Sequence, residues 1–338
     1  MKVTLKHIAD DTGYSISTIS RVLNGSDRIS SDTKDEVLKS AKLLGYKFSV
    51  SNGIHYPKKH LNIVLAASGF HEGEFYSCFF HGLNSASKNN NIHLFLKGII
   101  DIEKELKNTI SDLSSGAYDG MILFIPEINW SDYMEIAKLA PKKMAIVSNS
   151  LIENPIFPTI TFDSYSGGYL AAEHFHKLGY KTVGVITGPK ERSESRFRKN
   201  GFVDYVSQQP DMEVVWVFDG DYTFESGIQA LEEFKTLKNK PRAVFSTNDS
   251  MAMSFSEYAR RNLIKIPEDV ALIGYDDLPF NEHISPTLTS IHTDFQKLGA
   301  STIKLLLEQI ENVNKEPAML SFVPVSISVR ESCGALKK

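Results

Sequence analysis

Long apolar runs are missing from this 338-residue chain. No stretch approaches the roughly 18 uninterrupted apolar residues that a membrane-spanning helix needs. The amino-terminal MKVTLKHIADDTG holds no apolar segment and carries acids early, so no export signal is expected. Cysteine is scarce: Cys78 and Cys333 lie far apart in sequence, which argues against a disulfide framework and predicts a cytoplasmic protein. Common catalytic and cofactor signatures are missing as well. No G-x-G-x-x-G follows a strand-like run, and Gly188-Pro189-Lys190 lacks the remainder of a phosphate-binding loop. No nucleophile elbow occurs. His71-Glu72-Gly73-Glu74 lacks the second histidine of a zincin motif. His174 and His176 are two apart, about 200° around a helix. The reading is therefore no catalytic residue, no metal, no cofactor and no enzyme.

What is present is an ordinary globular balance, 42% hydrophobic and 23% charged residues, in a length that suits two or three folding units. The net charge of −4 does not describe a globally basic nucleic-acid binder. Its distribution is more informative: residues 1–60 are basic by four charges and the remainder is acidic by eight. A basic head on an acidic body suits a nucleic-acid reader joined to a segment that need not touch nucleic acid.

The head, residues 1–47, predicts three short helices. Thr4 caps a first helix from Leu5 with Leu5, Ile8 and Ala9 on one stripe, and Gly13 supplies the turn. Ser15 caps a second, Ile16 to Leu23, with Ile19, Val22 and Leu23 inward, ended by Asn24-Gly25. A third starts near Ser31 on Val37, Leu38, Ala41 and Leu44, with Gly45 as its C-cap. Three such helices describe a helix-turn-helix whose second helix enters the major groove. Ser17, Thr18, Ser20 and Arg21 point away from its apolar stripe, and such groups bind phosphates and base edges.

The segment TLKHIADDTGYSISTISRVLNG, continuing into ISSDTKDEVLKSAKLLGY, strongly resembles the headpiece of the lactose-repressor-like (LacI/GalR) family. That resemblance implies duplex operator DNA as a partner. It puts Ile16 and Ser17 at the family's sequence-reading pair and Arg21 at a base-contacting arginine. Thr4, Ser15, Thr18, Asn24, Ser30 and Thr33 fall where the phosphate backbone is held.

Residues 48–60, the hinge or linker, depart from the family. Relatives place here a helix that folds on DNA and wedges a leucine into the minor groove. This chain reads Phe48-Ser49-Val50-Ser51-Asn52-Gly53-Ile54-His55, in which Gly53 costs a helix about 1 kcal/mol and His55 replaces the wedge. Pro57 stops any helix that forms. Two readings stand: Ile54 or Tyr56 wedges from a shifted hinge, or the segment is a plain linker.

From Leu61 on, short apolar runs alternate with amphipathic stretches of helical period. Strands are predicted at Leu61–Ala67, Ile92–Lys97, Gly120–Ile125 and Lys143–Ser148, then at Lys181–Thr187, Glu213–Phe218, Ala243–Thr247 and Val270–Tyr275. Two strand-helix series argue for two doubly wound α/β lobes with parallel sheets. Ligands of such sheets sit beyond the strand carboxyl ends. There Asp276 can accept from vicinal hydroxyls, Asn248 can donate and accept, Arg198 offers a fork of donors, and Tyr222 and Phe75 offer flat faces.

The blocks SYSGGYLAAEHFHKLGYKTVGVITGP, FSTNDSMAMSFSEYARR, IPEDVALIGYDDLPF and PTLTSIHTDFQKLGA look like the same family's periplasmic-binding-protein-like body, extending the resemblance over nearly the whole chain. The implied effector-binding and dimerisation domain is 61–332. Its N-lobe is about 61–161 plus 290–322, its C-lobe about 162–289 plus 323–332, and 333–338 is a tail. Matching motifs place Phe75 and Tyr76 on the first-lobe cleft loop. Ser148, Phe162, Arg198, Tyr222, Asn248, Asp276 and Phe295 fall on the other effector contacts, with Ser148 standing where an acid is frequent. The resemblance further implies a homodimer on a pseudo-palindromic operator, its contacts mostly between N-lobes, and favours a dimer over a tetramer because the chain ends without a heptad helix. The effector is read as a sugar or sugar derivative, with a purine-type corepressor as the alternative. A solute-binding protein without a DNA role would share the body but has no use for the head.

Overall fold

The computed structural model describes residues 3–23, 29–44, 46, 60–68, 74–115, 118–140, 144–311 and 318–336. The chain divides into two compact units, residues 1–60 and 61–338. The first holds α1 (Leu5–Thr12), α2 (Ile16–Leu23) and α3 (Ser31–Leu43). Local chemistry sets their ends. The Thr4 N–H donates to His7 Nδ1 at 3.0 Å, and Gly13 ends α1 at φ 75°, its N–H reaching Ala9 O at 2.9 Å. Ser15 Oγ accepts from the Thr18 N–H at 3.1 Å and Ser30 Oγ from the Thr33 N–H at 3.4 Å, so a hydroxyl opens α2 and another opens α3. Ile8, Ile19, Val22, Leu23, Val37 and Ala41 form the small core. Leu44, expected on that stripe, is 37% exposed because α3 ends before it, and Tyr46 packs on the cluster instead. Asn24, Gly45 and the whole segment carrying Ile54, His55 and Tyr56 lie outside the described residues.

The second unit alternates strands and helices: β1 (Leu61–Ser68), α4 (Phe75–Asn89), β2 (Ile92–Ile99), α5 (Ile102–Ser115), β3 (Gly120–Phe124), α6 (Trp130–Leu139), β4 (Ala145–Ser148) and β5 (Thr159–Phe162). There follow α7 (Ser164–Lys177), β6 (Thr182–Thr187), α8 (Ser193–Ser207), β7 (Glu213–Asp219), α9 (Phe224–Thr236), β8 (Ala243–Ser246), α10 (Asp249–Arg261) and β9 (Ala271–Asp276). Last come β10 (Thr289–His292), α11 (Phe295–Glu311), β11 (Leu320–Val323) and β12 (Ser326–Ser328). They make two six-stranded sheets, ordered β11-β5-β4-β3-β1-β2 and β12-β10-β9-β8-β6-β7. The first is parallel throughout; in the second only β12 runs antiparallel, beside β10. Strands β4, β5, β8 and β9 are buried along their whole length, as strands covered on both faces must be.

The chain crosses between sheets three times, after β5, after β10 and between β11 and β12. β10 belongs to the second sheet, so the middle crossing follows His292 instead of falling before residue 290. β5, β10, β11 and β12 went unread in the sequence. Each has four residues or fewer, too short to show a period. The segment read as a tail is partly core: Cys333 is fully buried beside Phe175 and Ala271, and its carbonyl accepts from Tyr180 OH at 3.1 Å. No helix among the described residues is long and apolar enough to cross a membrane.

Candidate functional site

On the head, Ser15, Ile16, Ser17, Arg21, Thr4 and Ser30 are exposed, and Thr18, Ser20 and Thr33 are half-buried. Ile16 is 50% exposed at the first position of α2, an apolar group held out where a thymine methyl could meet it. The hydroxyls of Ser15, Ser17 and Thr18 cluster at 2.8 and 2.9 Å around the helix start. Helix amino termini and short hydroxyls are phosphate-binding chemistry.

In the body the carboxyl ends of both sheets open on one cleft of about 840 Å³, its solvent-open mouth included. Phe75, Tyr76, Phe162, Arg198, Tyr222, Asn248 and Asp276 all line it. Ser148 does not: it is fully buried, and its hydroxyl lies 3.1 Å from Tyr133 OH. Its neighbour Asn149 reaches the cleft instead. Successive residues of an extended segment face opposite sides, so the expectation was one residue out of register. Phe295 stands behind the wall, edge-on to Phe75 and to Phe162 with 5.4 Å between centroids in each pair.

Arg198 is placed by helix packing. At Gly168 of α7 a Cβ would come within 1.9 Å of the Arg198 carbonyl, so α7 and α8 touch backbone to backbone there. Its guanidinium lies 3.6 Å from the Tyr275 ring centroid, donates from NH1 to Thr247 O at 2.6 Å, and holds NH2 3.4 Å from Asp276 Oδ1. Burial pushes the Asp276 carboxyl above the usual range, against the pull of Arg198. Behind it, buried Asp249 accepts from the Leu278 N–H, Asn281 Nδ2 and Ser290 Oγ at 2.8, 2.7 and 2.6 Å, fixing the loop that carries Asp276. Burial and the neighbouring Asp276 charge raise the Asp249 pKa too.

Two lining residues hold left-handed backbone, Tyr222 at φ 73° and Asp276 at φ 112°. Such strain persists only where surroundings enforce it. For Tyr222 the enforcement is Asn248, whose Nδ2 donates to Tyr222 O at 2.9 Å while its Oδ1 caps α10 at Met251 N, 3.0 Å away. Asn248 therefore has one N–H and one Oδ1 lone pair left for a ligand.

Asp277, next to Asp276, points elsewhere. It bonds Arg330 NH1, Ser328 Oγ and His292 Nδ1 at 2.7, 2.6 and 2.8 Å, a structural clamp between β9, β10 and β12. Burial works against its charge, and those three bonds outweigh burial to hold its pKa below the usual value.

Arg192, Glu194, Ser250, Thr161, Ser164, Phe124 and Pro126 also line the cleft and were not read from the sequence. A signal existed for one: Glu194 is four residues before Arg198, on the same face of α8. The opening of α8 also ties the lobes together. Arg192 pairs with Glu127, the Leu151 N–H donates to Glu194 Oε1 at 2.7 Å, and Arg196 NH2 meets Glu153 Oε1 at 3.1 Å. Across the other side Phe280 N–H donates to Glu74 Oε2 at 3.2 Å.

Six lining residues keep a buried polar atom without a hydrogen bond in the protein: Asn149 Oδ1, Ser164 Oγ, Glu194 Oε2, Arg198 Nε, Tyr222 OH and Asp276 Oδ1. Among the described residues no cluster of His, Cys, Asp or Glu is arranged to hold a metal.

Sequence comparison matches residues 4–49 to the lacI family of bacterial regulatory proteins and residues 172–333 to the periplasmic binding protein-like domain. The chain carries a LacI-family DNA-binding head and a periplasmic-binding-protein-like body. It is a DNA-binding transcriptional regulator and not an enzyme. Curated relatives of this LacI-family regulator include the HTH-type transcriptional repressor PurR of Photobacterium profundum, 26% identical over 332 residues, covering 97% of this chain and 98% of that one. PurR of Haemophilus influenzae (strain PittGG) is 26% identical, with 96% of each chain covered. Among solved structures, the Lac repressor bound to ONPG in the repressed state superposes with a TM-score of 0.74 at 23% identity, over 98% of this chain and 100% of that one. The CelR–cellobiose complex gives 0.71 at 25% identity, over 98% and 100%.

Proposed function

We propose that this regulator represses carbohydrate-utilisation genes as a cytoplasmic homodimer, switched by a sugar or sugar derivative bound between its lobes. The set of unmatched polar atoms carries the reading. A buried polar atom without a hydrogen bond costs about 1–3 kcal/mol, so six on one cleft, acceptors with a donor among them, ask for a ligand rich in hydroxyls. The Phe75, Phe124, Phe162 and Tyr222 rings give the apolar faces of a sugar ring something to pack on. Cellobiose in CelR, and ribose in the LacI-family regulator from Enterococcus faecium (TM-score 0.70, 23% identity, 82% of this chain and 100% of that one), accord with it.

The same rings suit a flat base, and the PurR relatives favour a purine-type corepressor as the second reading. Calorimetric titration with monosaccharides, oligosaccharides and nucleobases separates the two; tight binding of a nucleobase alone overturns the sugar reading.

In the proposed mechanism Ile16, Ser17, Ser20 and Arg21 meet base edges. Thr4, Ser15, Thr18, Ser30 and Thr33, with Asn24, hold phosphates. Ligand favours the lobe arrangement that the α8 contacts hold shut, and the two-state shift is worth the ligand's differential affinity, about 1–3 kcal/mol. Dimer contact is assigned to the first lobe, where the edge strand β2 exposes Phe95 and Leu96 and is followed by Ile100, 92% exposed. Two heads related by a two-fold axis would read half-sites about one helical turn apart or a multiple of it.

A further inference from the structure

We infer that Glu194 sets the charge class of the effector: the cleft admits an uncharged, hydroxyl-donating ligand and rejects its phosphorylated or acidic counterpart. This rests on the sugar reading and sharpens it. Two arginines on a cleft wall ordinarily invite an anion. Here each already faces a carboxylate of the protein. Arg192 is paired with Glu127 of the first lobe. Arg198 donates from NH1 to Thr247 O, sets NH2 against Asp276 and lays its plane on Tyr275, which leaves its Nε–H without a hydrogen bond in the protein. Those pairings leave Glu194 as the acid on the wall with no matching cation. One oxygen, Oε1, takes the Leu151 N–H of the opposite lobe at 2.7 Å. The other, Oε2, is shielded from solvent and has no hydrogen-bond partner in the protein.

An ionised carboxylate only accepts, so Oε2 is completed by a ligand O–H and repelled by a phosphate or carboxylate. Around it stand Arg192 at the N-cap of α8 and Arg198 on α8, Glu127, Tyr76 and Tyr133 from the first lobe, and Tyr222 and Asp276 from the second. Burial raises the Glu194 pKa, against the Leu151 bond and the two arginines. A hydroxyl donating to Oε2 favours the ionised form, so binding releases a proton and weakens as pH falls.

The test is calorimetry on the full-length protein and on E194Q. The probes are glucose, ribose and cellobiose, each beside its phosphorylated form, in two buffers of different ionisation heat. Glutamine keeps an acceptor for the Leu151 N–H, removes the charge and turns the Oε2 position into an N–H donor. The wild type should bind the neutral sugar at least about tenfold more tightly than its phosphate; E194Q should close about tenfold of that gap and lose the buffer-dependent heat. A wild type that prefers the phosphate, or an E194Q ratio that does not move, overturns the inference. Should no sugar bind while hypoxanthine does, the sugar reading falls. The charge rule is then decided by hypoxanthine against inosine 5′-monophosphate on the same two proteins. Binding of none of these ligands removes both readings.

Discussion

Asn248 offers the sharpest check on how the cleft is built, because its side chain holds two backbones at once. Its Oδ1 caps α10 at the Met251 N–H and its Nδ2 ties down the Tyr222 carbonyl, at 3.0 and 2.9 Å, in a site where Asn248 itself is 8% exposed. Asn248→Ala removes the cap, typically about 1 kcal/mol. It also leaves the Tyr222 carbonyl unmatched, for about 1–3 kcal/mol more. The sum, roughly 2–4 kcal/mol, should lower the thermal midpoint of the body by about 5 °C or more. Tyr222, no longer held at φ 73°, should relax and weaken effector binding about tenfold or more. Asn248→Asp separates the two jobs: a carboxylate still caps α10 and favours its amino terminus, but presents an acceptor to the Tyr222 carbonyl. It should regain about 1 kcal/mol of stability and none of the affinity. Thermal unfolding and calorimetry on the three proteins read both quantities. Loss below about 0.5 kcal/mol in Asn248→Ala, or equal stability of the two variants, would refute the two-backbone account.

Arg21→Ala should abolish specific operator protection in footprinting while leaving effector titration unchanged; an unaltered footprint removes α2 from the reading surface. Asp276→Asn should give a protein that binds DNA but no longer responds to effector in gel-shift titrations. Because burial raises the Asp276 pKa in the folded state, the unfolded chain ionises first. Stability of the free protein should therefore fall as pH rises through the weakly acidic range, and Asp276→Asn should flatten that slope in unfolding curves taken across pH. Gly168→Ala places a Cβ on the Arg198 carbonyl and should cost about 1–3 kcal/mol in denaturant unfolding, with weaker effector binding, as α7 and α8 separate. Leu96→Glu should shift sedimentation from dimer to monomer if β2 is the shared edge.

The parts of this protein that local chemistry decides were open to reading from its residues. Thr4, Ser15 and Gly13 bound their helices through contacts within four residues, so the head's three helices followed from capping and an apolar stripe. The long buried strands β1, β3, β6 and β9 announced themselves as apolar runs, and with them the strand ends, loops and helix that carry Arg198, Tyr222, Asn248 and Asp276 to one cleft. Tertiary structure alone decided what those side chains have left to offer. Arg198 offers a fork of donors in sequence, and only the partners brought from residues 276 and 247 show how much of that fork the protein itself takes up. Ser148 and Asn149 exchanged places because strand register, set by neighbours on other strands, chooses which of two adjacent residues faces in. The short crossing strands were legible in neither period nor composition, since three or four residues take their conformation from strands more than a hundred residues away, as β11 does from β5.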